Sequence, residues 1–230
     1  TYNEIKTRPD QLIEELKTLE GKNSQEFYKE CRNEFNAFKK EQTAPVKQKT
    51  RTAALMIYLN KTCFNGLYRE NSKGEFNVPF GDYKNPRILD EANIRAVSAA
   101  LRNASVSQKD FTYCANKAKE GDFVYFDPPY IPVSQTSNFT TYSGTGFSLK
   151  DQEKLVDVFS KLTEKGVMVL YSNSYSDLVR DLFDGVNGTV FNTVSASRFI
   201  NCNGNGRGPV LEYAITNFKP NTIQTQLELD

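Results

Sequence analysis

The chain has 230 residues, 38% hydrophobic and 25% charged, with a net charge of +1, a balance that suits a globular protein able to bury a real core. It has no histidine, and its four cysteines, Cys31, Cys63, Cys114 and Cys202, form no C-x-x-C pair. Zinc chemistry and histidine-assisted nucleophilic catalysis therefore lack their usual ligands and bases. No apolar run is long enough to span a bilayer and no signal-peptide pattern opens the sequence, so a cytoplasmic location with free thiols is expected.

Helical periodicity begins at once. Pro9 suits a first helical turn and is followed by Leu12, Ile13, Leu16 and Leu19 at helical spacing. Asn23 or Ser24 can cap a second helix with the stripe Phe27, Cys31, Phe35 and Phe38. A third, from about Val46 to Cys63, carries Ala53, Ala54, Leu55, Ile57, Tyr58 and Leu59 and is expected to be largely buried. Between Phe64 and Arg87, glycines at 66, 74 and 81 among asparagines and prolines indicate turns and a short hairpin. Asp90 then caps a helix through Ile94, Val97 and Leu101.

Beyond residue 104 the pattern alternates. Candidate strands lie near 105–113, 122–127, 167–172, 188–194 and 210–218, with a long polar loop over 131–147. Ser148 and Asp151 form a capping box for a helix over 148–165 that stops at Gly166, and a shorter helix covers about 174–184. Alternating strands and helices predict an α/β fold, its sheet mostly parallel and covered on both faces, with the last two strands as candidates for an antiparallel pair.

Charge is unevenly distributed. Residues 39–87 carry ten basic and four acidic side chains, a net of +6, against −2 over 1–38 and −3 over 88–230. Such a block fits a phosphate backbone, or equally a solvated lysine-rich face.

The most informative tetrapeptide is Asp127-Pro128-Pro129-Tyr130, which closes the apolar run Phe123-Val124-Tyr125-Phe126. In α/β sheets, ligands sit outside the carboxyl ends of strands. Two adjacent prolines fix φ and supply no backbone N–H, leaving a stiff turn whose carbonyls can accept. The result is a cup with acceptors and an aromatic wall, suited to a flat, amine-bearing ring. An ordinary acidic turn is the plainer alternative.

Asp127-Pro128-Pro129-Tyr130 after an apolar strand resembles the signature of amino-group methyltransferases that use S-adenosylmethionine. The stretches from Phe64 to Arg69 and from Gly74 to Gly81 resemble the target-recognition segment of Dam-type DNA adenine-N6 methyltransferases. The resemblance covers nearly the whole chain, with its motifs in order. It implies that Asn65, Leu67 and Arg69, with Pro79 in the same segment, lie in a hairpin that reads GATC in double-stranded DNA. Arg69 would pair with a guanine, whose O6 and N7 acceptors fit an arginine fork. Phe64, where the family often has tyrosine, would wedge beside the flipped base. Asp110 and Phe111, at the expected end of the 105–113 strand, correspond to contacts with the adenine of the methyl donor, as Asp127 does at its own strand end. Tyr171-Ser172-Asn173-Ser174 resembles the strand end after the catalytic motif, and Arg198 to Gly208 a late loop.

The family also carries a lysine-bearing segment, a Phe-x-Gly-x-Gly donor loop and an acidic ribose ligand. This sequence shows none of them, and Thr1 to Leu16 resembles the helix that follows. The expected architecture is an incomplete Rossmann-like methyltransferase sheet with helices on both faces, plus a mainly helical target-recognition region containing the β-hairpin. The expected division is 1–20, a remnant of the cofactor side; 21–103, target recognition; and 104–230, catalysis. A complementing amino-terminal fragment is then an expected partner.

The implied chemistry transfers methyl from S-adenosyl-L-methionine to the exocyclic amine of a flipped adenine. The Asp127 carboxylate and the Pro128 carbonyl accept its N–H groups, Pro129 stiffens the turn and Tyr130 stacks on the ring. No metal is required. Two other readings stand beside this one: a DNA-binding remnant or split half without activity, and the same chemistry on RNA or protein glutamine.

Overall fold

The computed structural model describes residues 1–41, 45–132, 147–197 and 209–220. The chain forms two compact units, Thr1–Gln108 and Lys109–Asp230.

The first unit is helical, with α1 (Tyr2–Thr7), α2 (Pro9–Lys17), α3 (Gln25–Lys39), α4 (Val46–Thr62) and α5 (Glu91–Ala100). Pro9 stands in the first turn of α2, where its missing N–H costs no helical bond. Ser24 caps α3 by accepting from the Phe27 amide, and Asp90 caps α5 by accepting from the Asn93 amide. The core is the union of the helical stripes: Leu12, Ile13 and Leu16 of α2, Tyr28, Cys31 and Phe35 of α3, and Ala53, Ala54, Leu55, Tyr58 and Leu59 of α4. Each fully buried leucine among these contributes about 1.5–3 kcal/mol of transfer free energy. The α3 stripe turns slightly from expectation, because Tyr28 is buried while Phe27 and Phe38 are only partly so.

The second unit contains α6 (Tyr113–Lys117), β1 (Phe123–Phe126), α7 (Leu149–Glu164), β2 (Met168–Ser174), α8 (Asp177–Leu182), β3 (Val190–Ser197) and β4 (Pro209–Thr216). The described sheet has four strands in the order β1-β2-β4-β3. β1 and β2 are parallel, joined by a crossover that includes α7, as parallel pairing requires. β4 is antiparallel to both β2 and β3. The fold is thus mixed α/β, and its described sheet is less parallel than the alternating pattern predicts. Val169, Tyr171, Tyr213 and Ile215 share a core with Leu155, Phe159 and Leu162 of α7 and with Val179 of α8. At alternate positions Phe123, Tyr125 and Met168 are exposed.

One expected strand is absent. Residues 105–110 are irregular and lead through a turn into α6. Between Arg102 and Asp110 only Ala104 and Val106 are apolar, too little to give a strand a face to bury. The Asp110 carboxylate instead accepts from the Thr112 amide at 3.0 Å and closes a turn. Asp110 and Phe111 therefore open a helix rather than end a strand.

Candidate active site and nucleic-acid interface

In the second unit, Asp127 follows directly on β1, where the parallel β2 runs alongside in register from Phe123↔Met168 to Phe126↔Tyr171. Ser172, the next residue of β2, sends its hydroxyl to Asp127 Oδ1 at 3.0 Å and lies 3.0 Å from the Tyr125 hydroxyl. Asp127 is exposed, Pro128 buried, Pro129 exposed and Tyr130 half-buried. The Tyr130 hydroxyl donates to Glu212 of β4 at 3.2 Å, and burial together with the nearby Glu212 and Asp127 charges raises its pKa, burial most. Among the described residues no donor reaches Asp127 Oδ2 or the Pro128 carbonyl.

Beneath this turn lies a buried polar network that sequence reasoning did not assign. Gln152 of α7 donates to the Pro129 carbonyl at 2.8 Å, and its side-chain oxygen accepts from Tyr171 at 2.8 Å. Asn173 Nδ2 donates to the Tyr171 hydroxyl at 2.6 Å, while Asn173 Oδ1 accepts from the Ile131 amide at 2.9 Å. The Ser174 hydroxyl donates to the Ile131 carbonyl. Gln152, Tyr171 and Asn173 are fully buried, so each bond is made in a low dielectric where losing it is costly. The only sequence signal was the run of small polar residues at 172–174, and nothing marked Gln152.

Asp110 and Phe111 lie in the same unit. Lys154 of α7 stands 3.7 Å from Asp110 and 5.2 Å from the Phe111 ring centroid, and Phe147 meets that ring edge-on at 5.8 Å. Hydrogen bonds from the Thr112 hydroxyl and amide hold the Asp110 carboxyl below the ordinary carboxylate range.

In the first unit the predicted DNA-contacting residues come together. The chain leaves α4 at Cys63, makes one 3₁₀ turn over Phe64–Gly66, and returns so that Cys63 pairs with Phe80 and Glu70 with Phe76 in antiparallel bridges. The Phe64 amide donates to the Pro79 carbonyl at 2.9 Å, and the Asn77 amide to the Arg69 carbonyl at 3.1 Å. Asn65 adopts φ 57°, a left-handed conformation that asparagine tolerates. Phe64, Asn65, Leu67, Arg69 and Pro79 are all exposed. Arg69 Nε donates to Asn77 Oδ1 at 3.0 Å. Lys39 and Lys40 pair with Glu70 and Glu75, whereas among the described residues Lys47, Lys49, Lys61, Arg69, Lys73 and Lys84 make no ion pair. The net positive charge of this block is therefore not cancelled locally.

Among the described residues no group of carboxylates and cysteines could hold a metal ion, and no helix is long and apolar enough to cross a membrane. Of the expected features, Arg198 to Gly208 and all but the ends of the 131–147 loop lie outside the described residues.

Comparison with known proteins identifies the family. The sequence model of the D12 class N6 adenine-specific DNA methyltransferases matches residues 1–198. The chain is 41% identical over 219 residues to the type II methyltransferase M1.LlaDCHI of Lactococcus lactis subsp. cremoris, covering 94% of this chain and 75% of that protein. It is 40% identical over 226 residues to the type II methyltransferase M.MjaIII of Methanocaldococcus jannaschii, with the same coverage of each chain. It is 34% identical to the DNA adenine methylase of Escherichia coli K12, covering 96% of this chain and 76% of that enzyme. With the acceptor turn after β1, the exposed basic segment after α4 and a family match over most of its length, the chain belongs to the D12 class of N6 adenine-specific DNA methyltransferases.

Proposed function

We propose that the chain acts in the cytoplasm as a site-specific methyltransferase on double-stranded DNA, methylating the N6 of an adenine in GATC that has been flipped out of the duplex. The observation that carries this reading is the Asp127–Tyr130 turn. One Asp127 oxygen is held by Ser172, while the other oxygen and the Pro128 carbonyl meet no donor among the described residues.

The adenine amine is a poor nucleophile because its lone pair is delocalised into the ring. Asp127 and the Pro128 carbonyl each accept one N–H, which favours a pyramidal nitrogen and frees the lone pair. Both acceptors are fixed before reaction, the turn by its prolines and by the Gln152 bond to Pro129. They oppose the positive charge that develops on nitrogen without reorganising. Tyr130, tethered to Glu212, offers its ring to the base.

The family implies S-adenosyl-L-methionine as donor, which when bound supplies an electrophilic methyl on a sulfonium. Asp110 and Phe111 suit its adenine end: a carboxylate that stays ionised accepts from an amine, and the neighbouring ring gives an apolar face. Asp127 is assigned to the donor as well as to the base. In the first unit, the recognition hairpin around Phe64, Asn65, Leu67, Arg69 and Pro79 reads the duplex. Arg69 addresses a guanine and Phe64 fills the space beside the displaced base. The Rossmann-like completion of the sheet, helices on its second face and a complementing segment belong to the same proposal. They are supported by β1, which has one neighbour among the described strands and exposes Phe123 and Tyr125.

The test is Asp127→Ala assayed with labelled donor and a GATC duplex. Methylation should vanish while DNA affinity stays within about twofold, because Asp127 makes no phosphate contact in this reading. Normal turnover by that variant refutes the mechanism. A second reading, a DNA-binding remnant or split half, is favoured by the same observation that β1 has one neighbour among the described strands. Saturable donor binding to the 230-residue chain would count against it.

A further inference from the structure

α3 grips the segment after α4 through a regular series of bonds. It presents Tyr28, Arg32, Asn36 and Lys39, one side chain per turn. The Tyr28 hydroxyl donates to the Val78 carbonyl at 2.8 Å, and Arg32 lies 3.4 Å from the same oxygen. Asn36 pairs with Phe76 on both sides: Nδ2 donates to the Phe76 carbonyl at 3.0 Å, and Oδ1 accepts from the Phe76 amide at 2.8 Å. Lys39 donates to the Gly74 carbonyl at 2.7 Å, to the Tyr68 hydroxyl at 2.9 Å, and to Glu70.

The spacing has a geometric reason. From 28 to 39 the helix rises about 16 Å, while four extended residues from 78 back to 74 span about 13 Å. The two run in opposite directions, and the long Lys39 side chain covers the difference. The helix thus does for alternate residues what a neighbouring strand would do. The Phe76 and Val78 side chains are buried against it. Asn77 between them is left to pair with Arg69, by the Asn77 amide to the Arg69 carbonyl at 3.1 Å and by Arg69 Nε to Asn77 Oδ1 at 3.0 Å. Lys39 is engaged by Glu70, so its charge serves the segment rather than a phosphate.

We propose that Asn36, seconded by Lys39, is a positioning residue for DNA specificity. It sets the register of the segment that carries Asn77 and so fixes the orientation in which Arg69 meets a base edge. The inference rests on the reading of Arg69 as a guanine contact. An arginine fork discriminates only when both its nitrogens are aimed, and a loop ordered beforehand loses less entropy on binding.

The experiment uses the whole chain with Asn36→Leu, a neutral change of similar size, and two probes: a GATC duplex and the same duplex with its first G·C pair replaced by A·T. Discrimination between the probes should fall by about tenfold, the scale of one bidentate base contact. The salt dependence of affinity should not change, because no phosphate contact is removed. Hydrogen exchange at the Phe76 amide should accelerate by about tenfold or more while α4 amides keep their protection. Asn36→Asp, which keeps the acceptor and loses the donor, should fall between and serves if the leucine variant does not fold. Unchanged exchange at Phe76, or unchanged discrimination despite faster exchange, overturns the inference. If Arg69→Ala abolishes discrimination while Asn36→Leu preserves it, the inference alone fails. If the parent chain does not distinguish the probes, the reading of Arg69 fails with it.

Discussion

Asn173 is the side chain on which the Asp127–Tyr130 turn most depends, and Asn173→Ala tests that directly. Its amide oxygen accepts from the Ile131 amide at 2.9 Å and the Ser174 amide at 2.8 Å, and its nitrogen donates to the Tyr171 hydroxyl at 2.6 Å. Asn173, Ile131, Ser174 and Tyr171 are all buried. Truncation leaves two buried N–H groups without an acceptor, at about 1–3 kcal/mol each, plus a small void. With partial relaxation the loss should be about 3–5 kcal/mol, a large share of the about 5–15 kcal/mol that holds a typical domain. Because the chain has two units, a single unfolding midpoint is not well defined. The assay is therefore native-state hydrogen exchange read at β2 and β4 amides, with the Ile131 amide as the local reporter. A fall of under about 1 kcal/mol would refute the reasoning. So would full stability in Asn173→Leu, which would show that volume rather than hydrogen bonding holds the turn.

Gly81→Ala should destabilise the closure of the 63–80 segment by about 1–3 kcal/mol. The new Cβ would lie 2.5 Å from a Tyr83 ring carbon and 2.8 Å from the Cys63 carbonyl oxygen, and only the tyrosine can swing away. Unchanged exchange protection at the Phe64 and Gly81 amides would count against this. Glu4, buried and bonded to Arg8 and Thr50, has its pKa lowered, chiefly by the Arg8 hydrogen bond and against the opposing effect of burial. A pKa lowered in the folded state contributes stability above the unfolded carboxylate value of about 4.3, lost as pH falls through the folded value. Acid titration of the first unit should show this loss, and a Glu4→Gln chain with the same acid profile would refute it. Burial raises the Cys31 thiol to about 11 and raises Cys63 as well. At pH 8 a thiol reagent should therefore label the partly exposed Cys114 well before either, and equal rates would contradict the burial.

Much of the fold was legible because its signals are local. Ser24, Asp90 and Ser148 each cap the helix that their position predicts, Ser148 with the reciprocal Asp151 bond. A cap needs only a residue and its neighbour three positions on. Apolar spacing located α2, α4 and α7, because one face of each had to find a core. The acceptor turn after Phe126 was legible for a similar reason: two prolines impose their geometry whatever surrounds them.

By itself the sequence determined which segments coil and where the sheet's first described strand ends. Tertiary structure decided the rest. It left residues 105–110 irregular and led 111–112 through a turn into α6, since Val106 is the one apolar side chain over 105–110. It placed β4 between β2 and β3. It also joined Gln152 to Pro129, Asn173 to Ile131 and Asn36 to Phe76. Those partners are separated by 23, 42 and 40 positions. No local pattern relates them, because a buried hydrogen bond is selected by where the chain returns in space.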